Sequence, residues 1–282
     1  MPKRIKYVWE KMPETLVLSA KKFVAMEGIQ RAAAFSFNAF LAFFPLVLLI
    51  VIVFSALFGN AVAGKAVITY MENYAPAGGE IQHLIFGTVS GILKARGEAG
   101  IFVFIILIFA ASQFLTVMVR ATNKAWGLRD YPWWRDPLKD LSLLGVIIII
   151  VFMGIAVPLA GNMVRSLLQS FIFFSWAYSL WMIFLPWLAL FIGLSLFYKL
   201  APHRHTLFSE VWIPALLATA LLHFAQTVFV IYLKRFSALA LMYGALGGVI
   251  AMLLWIYISG VIFIFCACLC AAQAEISPSQ RP

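Results

Sequence analysis

The sequence predicts an all-α, polytopic membrane protein with six transmembrane helices and amphipathic interfacial helices beside them. Three observations predict it. The run from Ala32 to Phe58 is 27 residues long and holds no charged side chain. As a helix it rises about 40 Å, against a hydrocarbon core of roughly 30 Å. The chain is 64% hydrophobic and 11% charged, with a mean hydropathy of +0.98, where a soluble domain carries about 25% charged residues. Lys and Arg concentrate in alternate connections between the apolar runs, as they do in cytoplasmic loops.

These features also bound the class of function. At 282 residues, the expected organisation is one membrane domain with short connections and no separate soluble catalytic domain. The net charge of +10 fits Lys/Arg flanks beside anionic lipid rather than a nucleic-acid partner. A cleaved signal peptide is not expected. The first 31 residues are polar and charged, and the apolar run behind them is far longer than a signal h-region.

In chain order, residues 1–31 form a cytoplasmic N-terminal amphipathic segment. Leu16, Ala20, Phe23 and Val24 share a helical face, Lys21 and Lys22 lie opposite, and Pro13 suits a first turn. The segment reads either as an interfacial helix on the cytoplasmic leaflet or as a helix packed against the membrane domain. The first span follows, with Pro45 near its middle as a kink. Residues 59–98 are too polar to cross. Two amphipathic stretches there, around Val67–Tyr74 and Ile81–Ile92, are separated by Pro76-Ala77-Gly78-Gly79. The second span covers about Gly100–Val119. Arg120–Asp140 then carries five Lys/Arg with Trp126, Tyr131, Trp133 and Trp134, an interfacial aromatic belt. The third span is Leu141–Met163 with Pro158 in it, and the fourth is about Trp176–Phe197 with Pro186 central. The fifth is about Val211–Leu233 and the sixth about Tyr243–Ala271. The domains are thus 1–31, a six-helix transmembrane domain over 32–272 with an extracytoplasmic amphipathic loop at 59–98, and a cytoplasmic tail at 273–282. Alternate compartments hold 15 and 6 Lys/Arg. The richer side faces the cytoplasm, so both termini are expected inside a plasma (inner) membrane.

Polar residues inside spans are the first place to look for chemistry, because burying them is costly. All eleven acidic residues lie outside the spans or at their edges, with Glu98 and Glu210 closest. Cation or proton antiport normally uses an intramembrane carboxylate, and none is present. Thr219, His223, Gln226 and Thr227 fall on one face of the fifth span by i, i+4, i+7, i+8 spacing. Asn38 on the first span, Ser112, Gln113 and Thr116 on the second, and Asn162 on the third are candidates to converge with them. The set reads as a substrate path or headgroup site. The plainer reading is interhelical hydrogen bonding, at about 0.6 kcal/mol each. His223 is the leading single residue, being titratable.

Cys266, Cys268 and Cys270 resemble a metal motif only at first sight. On a helix Cys268 points away from the other two, so they read as small packing residues. His203-Arg204-His205 reads as a headgroup contact or a solvated turn. No metal and no cofactor is expected. Gly244 and Gly248 form a G-x-x-x-G that serves packing within the monomer or a homo-oligomer seam. Pro45, Pro158 and Pro186 either free backbone groups for a substrate or simply bend helices.

Several stretches, taken together in order and spacing, resemble the YihY/BrkB family of bacterial inner-membrane proteins, once labelled ribonuclease BN. They are Ala32-Ala33-Ala34-Phe35-Ser36-Phe37 with Phe44-Pro45-Leu46, and Arg120-Ala121-Thr122-Asn123-Lys124-Ala125-Trp126-Gly127. Phe197-Tyr198-Lys199 with Pro202 follows, then Tyr243-Gly244-Ala245-Leu246-Gly247 and Leu254-Trp255-Ile256-Tyr257. The resemblance covers roughly residues 20–275. It implies six spans and a role in envelope resistance, transport or lipid handling. Two departures stand out: Asn38 replaces a Tyr usual in relatives, and Cys268 replaces an acidic residue late in the last span. If that acid binds a cation in relatives, the resemblance does not extend that role to this chain.

The reading that joins these observations is a non-enzymatic protein that binds or moves an amphipathic envelope component such as a lipid. Its expected partners are membrane lipids and not nucleic acid. The alternative is a non-transporting scaffold that binds a partner. An ion antiporter would need an acidic site, and a ribonuclease a metal cluster or soluble domain.

Overall fold

A computed structural model describes residues 11–58, 99–128, 143, 145, 172–235 and 245–276. Every element among the described residues is an α-helix. They are α1 (Met12–Ala25), α2 (Gly28–Phe58), α3 (Ala99–Ala125), α4 (Ile172–Leu200), α5 (Phe208–Arg235) and α6 (Ala245–Ile276). The expected first, second, fourth, fifth and sixth spans fall in α2 to α6. The amphipathic loop 59–98, Pro158, Asn162 and Gly244 lie outside the described residues, as does the third span apart from Leu143 and Gly145.

Two segments have the length and apolarity to cross a membrane on described residues alone. Phe208–Leu233 has a mean hydropathy of 1.9 and Gly247–Ile276 one of 2.6. Their surfaces are mostly open, with 17% and 22% of the respective windows buried, whereas the core helix of a soluble protein is mostly enclosed. Helix α4 repeats the pattern. Phe184, Leu188, Ile192, Leu196 and Leu200 are all exposed, one every four residues in a stripe that winds slowly around the helix. So long an exposed apolar stripe is stable in oil, not in water.

The helices are arranged around α6. It packs against α1, α2, α3 and α5, while α2 pairs with α3 and α4 pairs with α5. The contacts are made possible by small side chains. Cys266, Ala267, Cys268, Cys270, Ala271, Ala272 and Ala274 are all buried, so neighbouring backbones approach closely. Above them Phe263 forms the aromatic centre. Its ring stacks on Phe35 of α2 at 6.0 Å and Tyr198 of α4 at 5.2 Å, and meets Phe197 edge-on at 5.3 Å. Gly260 sits where a Cβ would stand 2.6 Å from the Phe35 ring, so only glycine lets α2 close on α6 here.

Proline does not end these helices. α2 continues through Pro45 and α4 through Pro186, each leaving the carbonyl four residues back without its helical donor.

Candidate functional site

Four helix ends and one connection meet around the C-terminus of α6, hereafter the closed end. Helix α3 stops there in a Schellman turn. Gly127 takes φ +69°, its N–H bonds Lys124 O, and Leu128 N–H bonds Asn123 O at 2.9 Å. That turn holds Asn123 and Trp126 against the α4–α5 connection. Asn123 is 2% exposed and clamps His203 twice. Its Oδ1 accepts the His203 backbone N–H at 2.9 Å, and its Nδ2 lies 2.7 Å from His203 Nδ1. The second contact requires Nδ1 to accept, which fixes the Nε2–H tautomer.

Beside it, the Arg204 guanidinium lies 4.2 Å over the Trp126 ring and 3.6 Å from Glu210. Glu210 sits in the first turn of α5, where its other oxygen accepts the Leu207 N–H at 3.0 Å. A carboxylate here caps the helix start and meets the positive end of its dipole. Thr206 Oγ1 donates to Lys199 O at 2.6 Å, and Gln273 Nε2 donates to Ser209 O at 3.0 Å. Tyr198, fully buried, donates to Phe263 O at 3.0 Å. The result is a pinned polar layer. Arg120, Lys124, Lys199 and His205 are exposed and give this end a basic rim.

The residues expected to form a path lie on the two helix pairs that flank α6. On the α2–α3 side, Asn38 is half-buried and its Nδ2 donates to Ala34 O at 2.8 Å in its own helix. Gln113 and Thr116 are half-buried on α3. On α5, Thr219 is 1% exposed and donates to Ala215 O. His223 is half-buried and stacks on Trp187 of α4, centroids 4.2 Å apart and planes within 9°. Its Nε2 is enclosed without a partner of full hydrogen-bond geometry, and Gln226 is half-buried three residues on. Gly248 is half-buried on α6. The three cysteines are buried free thiols, and Cys268 Sγ lies 3.3 Å from Met26 Sδ of the α1–α2 junction.

The sequence reading did not single out Asn123, Tyr198 or Gln273, and it took His203-Arg204 for a solvated turn or headgroup contact. A signal was present. Asn123 and Trp126 lie in the Arg120–Gly127 stretch, and Tyr198 and Pro202 in the one that begins at Phe197. Both stretches carry the family resemblance, and both end here.

The family model described as Virulence factor BrkB matches residues 19–282. The chain belongs to the BrkB family. It is similar to the Bacillus subtilis protein YfkH, named ribonuclease-like, with 24% identity covering 86% of this chain and 89% of that protein. It is similar to the UPF0761 membrane protein NTHI0384 of Haemophilus influenzae, with 24% identity covering 91% and 93%. The UPF0761 membrane protein of Vibrio campbellii is also 24% identical, and the chain spans 64% of its length. No solved structure matches. The BrkB match takes in α2 to α6 whole and the second half of α1, so the described helices are those of a membrane-protein family.

Proposed function

We propose that this BrkB-family protein crosses the inner membrane six times with both termini in the cytoplasm. There it binds or moves a lipid-like envelope component without covalent chemistry. One observation carries the reading. His223 stands between α4 and α5 beside Gln226, its Nε2 without a partner of full hydrogen-bond geometry, and stacks on a Trp187 that is itself 42% exposed. Between Val211 and Leu233 there is no Asp, Glu, Lys or Arg. A neutral, half-open polar step beside an apolar face suits an uncharged or hydrogen-bonding part of a lipid better than a bare ion. The basic rim of the closed end suits anionic headgroups.

The test is purified protein in liposomes carrying labelled neutral, zwitterionic and anionic lipids. Leaflet exchange is expected above protein-free liposomes, slowed by His223→Ala and by Asn38→Ala. No exchange with any of the three classes overturns the transport reading. The alternative, a scaffold, draws on the sealed polar layer of the closed end. It predicts inert liposomes together with a partner protein retained on purification.

A further inference from the structure

Helix α1 carries apolar side chains on its outer side as well as toward the protein, where Phe23 packs on Phe265 and Met26 is buried. Successive residues turn by about 100°. Its protein-facing side is centred on Thr15, Ser19, Lys22 and Met26, of which Thr15, Ser19 and Met26 are at most 6% exposed. Lys22 reaches across to Glu275 at the end of α6. The opposite side is centred on Val17 and Val24, which are 57% and 74% exposed, with Leu16 beside them. In a helix lying against water the outer positions of Val17 and Val24 would carry polar residues.

The elbow between α1 and α2 is fixed. Glu27 adopts φ +57°, its N–H bonds Val24 O, and Arg31 Nε donates to Met26 O at 2.8 Å. Gly28 lies so close to the Phe23 ring that a side chain there would collide with it. Beyond the elbow, where Glu27 is exposed, apolar side chains stand out again. Ile29, Phe37 and Leu41 stand out from α2 at intervals of four and eight residues. The outward apolar residues of α1 are therefore followed, just past the elbow, by outward apolar residues of α2. Exposed Lys21 borders those of α1, and exposed Arg120, Lys124 and Lys199 belong to the same end of the molecule.

We propose that α1 lies in the plane of the leaflet at the closed end. Leu16, Val17 and Val24 sit among the upper acyl chains, and Lys21 sits at the level of anionic headgroups. The occupant of this face is lipid, not a second protein. This stands whether or not the protein moves lipid.

The experiment uses the full chain in vesicles containing phosphatidylglycerol. A polarity-sensitive fluorophore is placed singly at position 17, 19, 21 or 24 in a background with Cys266, Cys268 and Cys270 changed to Ala. Positions 17 and 24 are expected to emit to the blue and to be quenched by a lipid with a nitroxide near its headgroup. Position 21 is expected to be quenched by aqueous iodide, and position 19 by neither. Iodide quenching of 17 and 24 to the extent seen at 21 overturns the proposal. In case the cysteine-free chain does not fold, a photo-crosslinking side chain replaces Val24 in the otherwise unaltered chain. Lipid adducts are expected, and adducts to protein alone, including a second copy, overturn it.

Discussion

The two ends of α6 differ as if they belonged to different proteins. From Cys266 to Ala274 every residue is buried, whichever way it points. From Gly247 to Ser259 none is. The polar contacts follow this division only in part: Ser36 Oγ donates to Leu253 O of the open half at 2.8 Å, and at the closed end Trp126 Nε1 is enclosed without a hydrogen-bond partner. At the closed end the Asn123, Tyr198, Thr206 and Gln273 side chains each have a partner on another segment or a connecting loop. Away from it, Asn38, Thr219 and Thr227 bond only carbonyls of their own helices, and His223 Nε2 has no partner of full hydrogen-bond geometry. A bond across segments holds helices in one arrangement, whereas a bond within a helix leaves that helix free to shift. The difference teaches where the bundle is tied most densely: among the described residues the closed end gathers most of the bonds between segments, and the open half has few beyond Ser36 to Leu253.

Substitutions at the closed end should therefore be the most damaging. Tyr198→Ala removes a fully buried ring from the Phe263 stack together with its hydrogen bond, a loss of about 3–5 kcal/mol. We expect a large drop in the thermal midpoint in detergent, with Tyr198→Phe recovering all but about 1 kcal/mol of it. A Tyr198→Ala protein that melts with the wild type would erase the distinction between the two ends. Asn123→Ala ranks next. It strands the His203 N–H and Nδ1, at about 1–3 kcal/mol. The same melting experiment reads it, and a shift no larger than that of a lipid-facing substitution would show that the clamp does not hold α3 to the connection.

How far the sequence disclosed this depends on what each signal measures. Hydropathy located the apolar part of α2 to α6, because it reports the thickness of oil that a segment must match. It ended the second span at Val119, yet α3 runs to Ala125, because that helix is stopped by Gly127 and not by the membrane surface. The sequence reading grouped the sides of α1 wrongly: Phe23 packs inward on Phe265 while Val24 faces out, and Lys22 turns inward to Glu275 while Lys21 stays exposed. Only knowledge of the solvent on each side turns an amphipathic pattern into an orientation. The path residues were legible as polar positions on apolar helices, whereas the pairing of α5 with α4, which places His223 on Trp187, depends on packing between distant segments. Asn123 and His203 are 80 residues apart, and no local pattern in either stretch announces the other.

The smaller effects sharpen the same comparison. Lys22–Glu275 joins α1 to the end of α6, but Glu275 is 54% exposed there. An exposed pair of this kind contributes about 0.2–1 kcal/mol, so Glu275→Gln should lower the midpoint slightly and the difference should shrink in high salt. Smallest of all are Ile250→Ala and Leu254→Ala on the open half of α6, where the side chains are 54% and 37% exposed. In water each truncation of a buried aliphatic residue leaves a cavity and costs about 2–5 kcal/mol. Facing lipid, each leaves none, because mobile acyl chains fill the space, and the expected change is within about 0.5 kcal/mol. Melting both variants beside Tyr198→Ala separates two accounts of this half. Near-zero shifts mean that these side chains meet lipid. Losses of the buried kind mean that another part of the chain covers them, and that the open half is as tightly packed as the closed one.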